Sequence, residues 1–521
     1  MGRYLIWMGV AVMAMAMAVV VRPSAADDHP DHEALPAGMQ VLTRGPIHEA
    51  FAEPVIFDPA PGPVVPKQPP PPIPELPPDR RPRGADVRWV PGDWGWDDRR
   101  HDFVWVSGTW REVPPGRHWV PGYWNPVEGG CQWVPGFWAP ADQRQLQYLP
   151  PPPASQEAGP TRPAPGPDFV WVPGSWCWRD ARYSWRPGFW APSQPDWLWV
   201  PDHYVWSPAG DLFVDGYWDR PLQNRGLLFA PVSFAQRLPN PPRPDFSPSV
   251  VLLTSALLSS LFVQPSDCHY YFGDYYDPDF IRSGIYPWHA FHESRHGYDP
   301  LFSYYAASSR RRDPEWVDHL REAYRFRLEH EDARPPRTLV QQATVQRQPP
   351  HVANNLAARD LVLALPIHQL ASLPHESSRF EPLERARRRE LALQSSRLHR
   401  FRELRRAREV EAARLLPPNV TGPRWLELPR SPIAFTPHRE PDSDHTPHAH
   451  PWTSPPPTLA HPEPLPNLHL RMHEEPVRRP EPHPDHLPLG SSSPSPVGAE
   501  RNGHLLNVPR SDVSPRERPG P

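Results

Sequence analysis

The sequence predicts a mainly β fold. A repeat module, an antiparallel hairpin meander of 14-residue units, is joined to a small α-containing module and an Arg-rich helix, with large disordered Pro-rich regions. Three observations carry this reading. A pattern of tryptophans around a glycine returns every 14 residues. The 23 Trp, 19 Phe and 15 Tyr are too many for a chain that is disordered throughout. The 83 Pro and 29 Gly among 521 residues interrupt helices and strands too often for ordinary globular domains. The last two agree only if Pro and Trp are segregated, or if they belong to one repeating device.

Residues 1–26 read as an export signal: Arg3 precedes an uncharged stretch from Tyr4 to Val21, and Ser24-Ala25-Ala26 offers small residues before a cut ahead of Asp27. The mature chain is therefore expected outside the cytoplasm, in periplasm, envelope or medium, with no integral membrane domain once the signal is removed. Residues 27–85, with Pro69 to Pro72 in a row, are expected to be an extended, disordered arm.

The repeat occupies residues 86–140 and 169–219. Trp119-Val120-Pro121-Gly122-Tyr123-Trp124 recurs as Trp133-Val134-Pro135-Gly136-Phe137-Trp138, and first positions fall at 89, 105, 119, 133, 171, 185, 199 and 213. These are two blocks of four units, separated by a Pro-rich insert at 141–168. The seventh unit has Asp202 for Gly and Tyr204 for the last Trp; the eighth begins with Phe213. Pro-Gly suits a type II turn, and the flanks are aromatic and β-branched, hence strand formers. Each unit is thus expected to turn at Pro-Gly, setting Trp119 across from Trp124, with up to sixteen strands in all.

The tandem Trp-x-x-Gly-x-Trp pattern resembles the WXXGXW (YXWGXW) repeat family of exported bacterial proteins, over about residues 87–219. The resemblance implies an exported repeat protein and assigns no activity or ligand.

Two roles are open to the tryptophans. They are core and cross-strand staples, or a row of exposed platforms for sugar rings or a Pro-rich peptide. The candidate binding residues are Trp89, Trp94, Trp105, Trp110, Trp119, Trp124, Trp133, Trp138, Trp171, Trp176, Trp185 and Trp190. The expected partner is an envelope polymer or protein. With a net charge of −4, no global field draws nucleic acid. Of the three cysteines, Cys131 and Cys177 both lie in the repeats and are the expected pair if a disulfide forms.

After a linker at 220–246, residues 247–335 are expected to form an aromatic, His-rich module. The uncharged run Val250 to Val263 reads as a buried helix, and Trp316, Leu320, Ala323, Tyr324 and Leu328 mark an amphipathic helix at the end. Within it, His292-Glu293-Ser294-Arg295-His296 has the spacing of a zinc hydrolase. His292 and His296 would be ligands, Glu293 a general base and Glu315 a third ligand. Gly297 and Asp299-Pro300 end any helix there, and Arg295 brings an unwelcome charge, so a capped turn and a protein without cofactor or enzymatic activity are preferred. Residues 336–375 read as a linker with a short helix at 353–364. Residues 376–416 read as a solvated Arg/Glu-rich helix with a thin stripe of Leu398, Phe401 and Leu404. The Pro/His-rich tail, 417–521, is expected to be disordered.

Overall fold

The computed structural model describes residues 38–234, 246–348, 361–373, 377–415 and 422–436. Residues 1–37, with the expected signal and the start of the arm, and most of the tail, from 437 on, lie outside the described residues. No described helix is long and apolar enough to cross a membrane.

The eight repeat units supply sixteen strands, but the units pair with one another rather than with themselves. In the first hairpin, residues 87–112, Val87–Val90 pairs with Thr109–Glu112 and Asp93–Asp97 pairs with Asp102–Val106. Trp89 therefore faces Trp110, and Trp94 faces Trp105. The second hairpin (117–140) sets Trp119 against Trp138 and Trp124 against Trp133. The third (169–192) sets Trp171 against Trp190 and Trp176 against Trp185. The fourth (198–219) sets Trp199 against Trp218 and Tyr204 against Phe213. Ring centroids in these pairs lie 5.0–5.4 Å apart, edge-on or tilted, the arrangement aromatic quadrupoles favour.

The turn expected at Pro-Gly thus lies elsewhere. Positive φ, which a tight hairpin turn needs, occurs between units: at His101, at Gly129 and Gly130, at Asp180 and Ala181, and at Gly210. The Pro-Gly pair instead breaks each long strand into two segments. Its glycine is required for space. A Cβ on Gly108 would come within 2.5 Å of the Trp89 ring, and one on Gly136 within 2.7 Å of the Trp119 ring. The first Trp of each unit lies over the Gly of its partner unit, which explains the spacing of the motif. The three departures from the pattern all fall in the fourth hairpin, where Tyr204 and Phe213 form the cross-strand pair and Asp202 takes a glycine position.

Residues 38–85 are not an extended, unpacked arm. Ile47, Phe51, Val55 and Ile73 are buried, and short strands leave the segment in five directions. Met39–Val41 pairs with Val232–Phe234, Gly45–Pro46 with His269–Phe272, and Val55–Ile56 with Gly297–Tyr298. Val64–Val65 pairs with Gly130–Val134, and Arg80–Pro82 with Phe380–Pro382. Proline keeps the segment extended, and the non-proline residues between supply edge pairing and apolar anchors. The insert and both linkers are likewise drawn in. Gln145–Leu149 pairs with Asp211–Val214 and with Arg424–Glu427, while Gly226–Leu227 pairs with Thr109–Glu112.

The run Val250 to Val263 is strand, short helix, strand: Val250–Leu252, Thr254–Leu257 and Leu261–Gln264. The β-branched ends find cross-strand partners at Ala364–Pro366 and His269–Phe272, which overrides the helical reading. The helix Trp316–Glu329 forms as expected, with Leu320 and Tyr324 buried. In the linker after it the helix is Leu339–Arg347; of the expected helix at 353–364, residues 353–360 lie outside the described residues.

The Arg/Glu-rich helix, Arg385–Arg414, is not a solvated rod. Its buried stripe is Leu391, Ser395, Leu398, Arg402, Arg405 and Glu409, spaced three or four apart, with Phe401 buried beside it; of the expected apolar stripe, Leu398 and Phe401 are buried while Leu404 faces solvent. Charged residues complete the stripe because they meet polar groups of the repeat.

Candidate functional site

Each Pro-Gly break leaves backbone groups without ladder partners: proline has no N–H, and the glycine N–H and proline C=O project where pairing stops. Buried groups of this kind must find acceptors and donors elsewhere. Three glutamates from outside the repeat motif supply the acceptors. Glu75 accepts from Gly92 N–H at 2.9 Å, from Gly108 N–H at 3.1 Å and from Trp105 Nε1 at 2.7 Å. Glu49 accepts from Gly136 N–H at 2.8 Å and from Trp133 Nε1 at 3.3 Å. Glu157 accepts from Gly174 N–H and, at 3.2 Å, from Trp171 Nε1. Burial pushes the Glu75 carboxyl up to about 7, against the lowering effect of its three donors.

The proline carbonyls are met by bases. His48 Nε2 donates to Pro91 O at 2.9 Å while its Nδ1 accepts from Ala50 N–H at 3.1 Å, an arrangement only the neutral imidazole can make. Burial holds its pKa at about 4. In the second hairpin, Arg405 Nη1 donates to Pro121 O and Pro135 O, both at 2.9 Å, and its Nε to Glu409 at 2.8 Å. The guanidinium lies over the Tyr123 and Phe137 rings, and Tyr123 and Tyr148 donate their hydroxyls to Glu409. Arg405 and Glu409 are both 0% exposed.

Extended segments of the same chain also run along the tryptophan edges and accept from the indole N–H groups. Trp94 Nε1 donates to Pro71 O at 3.1 Å, Trp176 to Ala154 O at 3.1 Å and Trp190 to Arg162 O at 3.0 Å. The residues that hold the repeats together thus come from the Pro-rich arm, the insert and the Arg-rich helix. A signal for them exists in the sequence: Glu75 is the one acid between Pro69 and Pro78, and Glu157 the one acid between Pro150 and Pro167.

The candidate tryptophans divide into two groups. Trp89, Trp94, Trp105, Trp110, Trp119, Trp133 and Trp138 are buried and Trp124 is half-buried, so the first block is staples, not a row of exposed platforms. Trp171, Trp176, Trp185 and Trp190, all in the third hairpin, are half-buried, as is the neighbouring Trp178. Cys131, Cys177 and Cys268 are free thiols, so the expected Cys131–Cys177 pair is not formed.

The zinc-like motif does not form one helical face. The helix Trp288–His292 ends at His292, and His296 lies exposed beyond it, stacked on Tyr286. His292 Nδ1 accepts from Asp299 N–H at 3.2 Å, and burial holds its pKa at about 4. Glu293 is paired with Arg321, and Glu315 is exposed near His319. Among the described residues no group of three or more His, Cys, Asp or Glu is placed to hold a metal ion.

A family model described as WXXGXW repeat (2 copies) matches residues 84–111, 166–191 and 195–219, which cover the first, third and fourth hairpins to within one residue. The comparisons with curated proteins and with solved structures find no match. Over these three segments, through their paired Trp-x-x-Gly-x-Trp units, the chain is similar to the WXXGXW repeat.

Proposed function

We propose that this is an exported, non-enzymatic repeat protein with a structural or binding role in the cell envelope or extracellular matrix, whose hairpins hold extended, Pro-rich chain segments. The observation that carries the reading is the half-buried third hairpin. There Trp176 and Trp190 donate to carbonyls of the Pro-rich insert while Glu157 accepts from Gly174 and Trp171. Aromatic N–H groups that read the carbonyls of a pre-extended chain are the chemistry of polyproline recognition. Indole faces of this kind also suit sugar rings, so a polysaccharide is the competing ligand. The N-terminal charge and apolar run support export.

The test is competition. A labelled peptide of residues 150–167 and a panel of envelope polysaccharides are offered to the full chain. The expected result is peptide binding that Trp176→Ala with Trp190→Ala weakens about tenfold or more. Retention on a polysaccharide with no peptide binding transfers the role to sugar, and binding of neither removes the reading. Fractionation of cells into cytoplasm, periplasm, envelope and medium tests export.

A further inference from the structure

In three of the four hairpins, the second inner strand is extended by one more antiparallel strand from elsewhere in the chain. Val232–Phe234 adds to Asp102–Val106, Val64–Val65 adds to Gly130–Val134, and Gln145–Leu149 adds to Asp211–Val214. The corresponding strand of the third hairpin, Arg182–Arg186, pairs with Ser175–Arg179 and, among the described residues, with no other strand. The two-residue turn at Asp180 and Ala181 makes Arg179 and Arg182 the hydrogen-bonded pair that closes it. Alternation then directs the N–H and C=O groups of Tyr183 and Trp185 outward along the open edge. Cys131 holds the same place in the second hairpin, two residues before the first Trp of its unit, and there pairs with Val65.

The charge at this edge is net positive, with Asp180 of the turn the one acid against Arg179 and Arg182. Arg179 and Arg182 stand directly opposite each other, both exposed, and neither forms an ion pair among the described residues. Like charges in cross-strand register destabilise a sheet. Inward from them, Trp178 and Tyr183 form an edge-on pair at 4.8 Å, which gives the tip a rigid aromatic floor.

We propose that the open edge of Arg182–Arg186 is a strand-addition site for an extended, acidic segment of a partner protein. Main-chain bonding to Tyr183 and Trp185 supplies the affinity, and carboxylates set beside Arg179 and Arg182 select the partner. A second copy of this chain is the wrong occupant, because antiparallel self-pairing would set Arg182 of one molecule near Arg186 of the other. The site uses the strand edge, so it stands apart from the tryptophan face discussed above.

The test measures binding to the full chain by fluorescence anisotropy. The probes are a short labelled peptide alternating glutamate and valine, its lysine-for-glutamate counterpart, and the acidic peptide N-methylated throughout. The proposal expects the acidic peptide to bind at least about tenfold more tightly than the other two, and R179E/R182E to abolish that preference. Near-UV circular dichroism of the variant checks the Trp pairs, with R179Q/R182Q as the milder substitute if the reversal perturbs them. Equal binding of the N-methylated or lysine peptide, or no binding at all, would overturn the proposal. So would a dimer of the unliganded chain that R179E/R182E dissolves.

Discussion

A glycine in this repeat is defined by the indole that covers it. Gly136 has no room for a methyl group, because Trp119, Gly122 N and a Glu49 oxygen would each lie 2.7 Å from its Cβ. Gly136→Ala should cost about 1–3 kcal/mol, the usual range for overpacking, as read from chemical denaturation. Combining it with Trp119→Phe should cost less than the two separate losses added together, because the smaller ring leaves room for the added methyl group. The opposite effect is expected at the tip of the third hairpin. Ala181 holds φ 58°, a conformation that burdens a residue with a Cβ, and Ala181→Gly should stabilise by about 1 kcal/mol in the same assay. His48 adds a dependence on pH. Its folded pKa near 4 lies below the unfolded 6.5, so the unfolded chain binds more protons between those values. Its contribution is complete above about pH 6.5 and is lost as pH falls toward 4. His48→Gln should lessen, without abolishing, the fall in stability over that window in denaturant titrations, since His292 carries the same shift. Glu75 has the opposite sign: its folded pKa is raised from 4.5 to about 7, so its contribution weakens as pH rises through that interval.

At the scale of elements, the recurring problem is a broken ladder and the recurring solution is a charged side chain brought from a distance. The helix Arg385–Arg414 meets the second hairpin through Arg405, whose charge is buried with Glu409. Removing one member strands the other, so Arg405→Ala should destabilise by about 3–5 kcal/mol. Replacing both by apolar residues of similar volume should cost less, although Pro121 O and Pro135 O would still lose their donor. A double-mutant cycle on unfolding free energies checks this. If Arg405→Ala proves as mild as an exposed ion-pair loss, the helix is not a clamp.

Over the whole molecule, the arm at 38–85 threads from the repeats to the helical module and carries both Glu49 and Glu75. A chain beginning after Ala85 should lose the near-UV circular dichroism of its coupled tryptophans and unfold without cooperativity. Retention of both by that truncation would show that the repeats stand alone. Much of the repeat is legible in the sequence: the 14-residue period and the sixteen strands follow from residues close together in the chain, whereas the expected pairing of Trp119 with Trp124 gives way to Trp119 with Trp138 and Trp124 with Trp133. The partner of each strand is not the one the sequence suggests. Pro-Gly resembles a turn, yet backbone twist favours the positive-φ residues between units. The arm was misread because proline density signals an extended chain equally well whether that chain is in water or laid on a protein.

The sequence alone determined the unit, since a strand of aromatic and β-branched residues with a small residue at a fixed offset is encoded within six positions. Tertiary structure decided which unit joins which, which glutamate closes each break, and why an arginine-rich helix is buried. Those contacts satisfy orphaned backbone groups with side chains up to nearly three hundred residues away, as with Arg405 and Pro121. Such pairs leave no periodic trace in a single chain, because any extended segment with one well-placed acid, or any helix with one inward arginine, reads the same until it is folded.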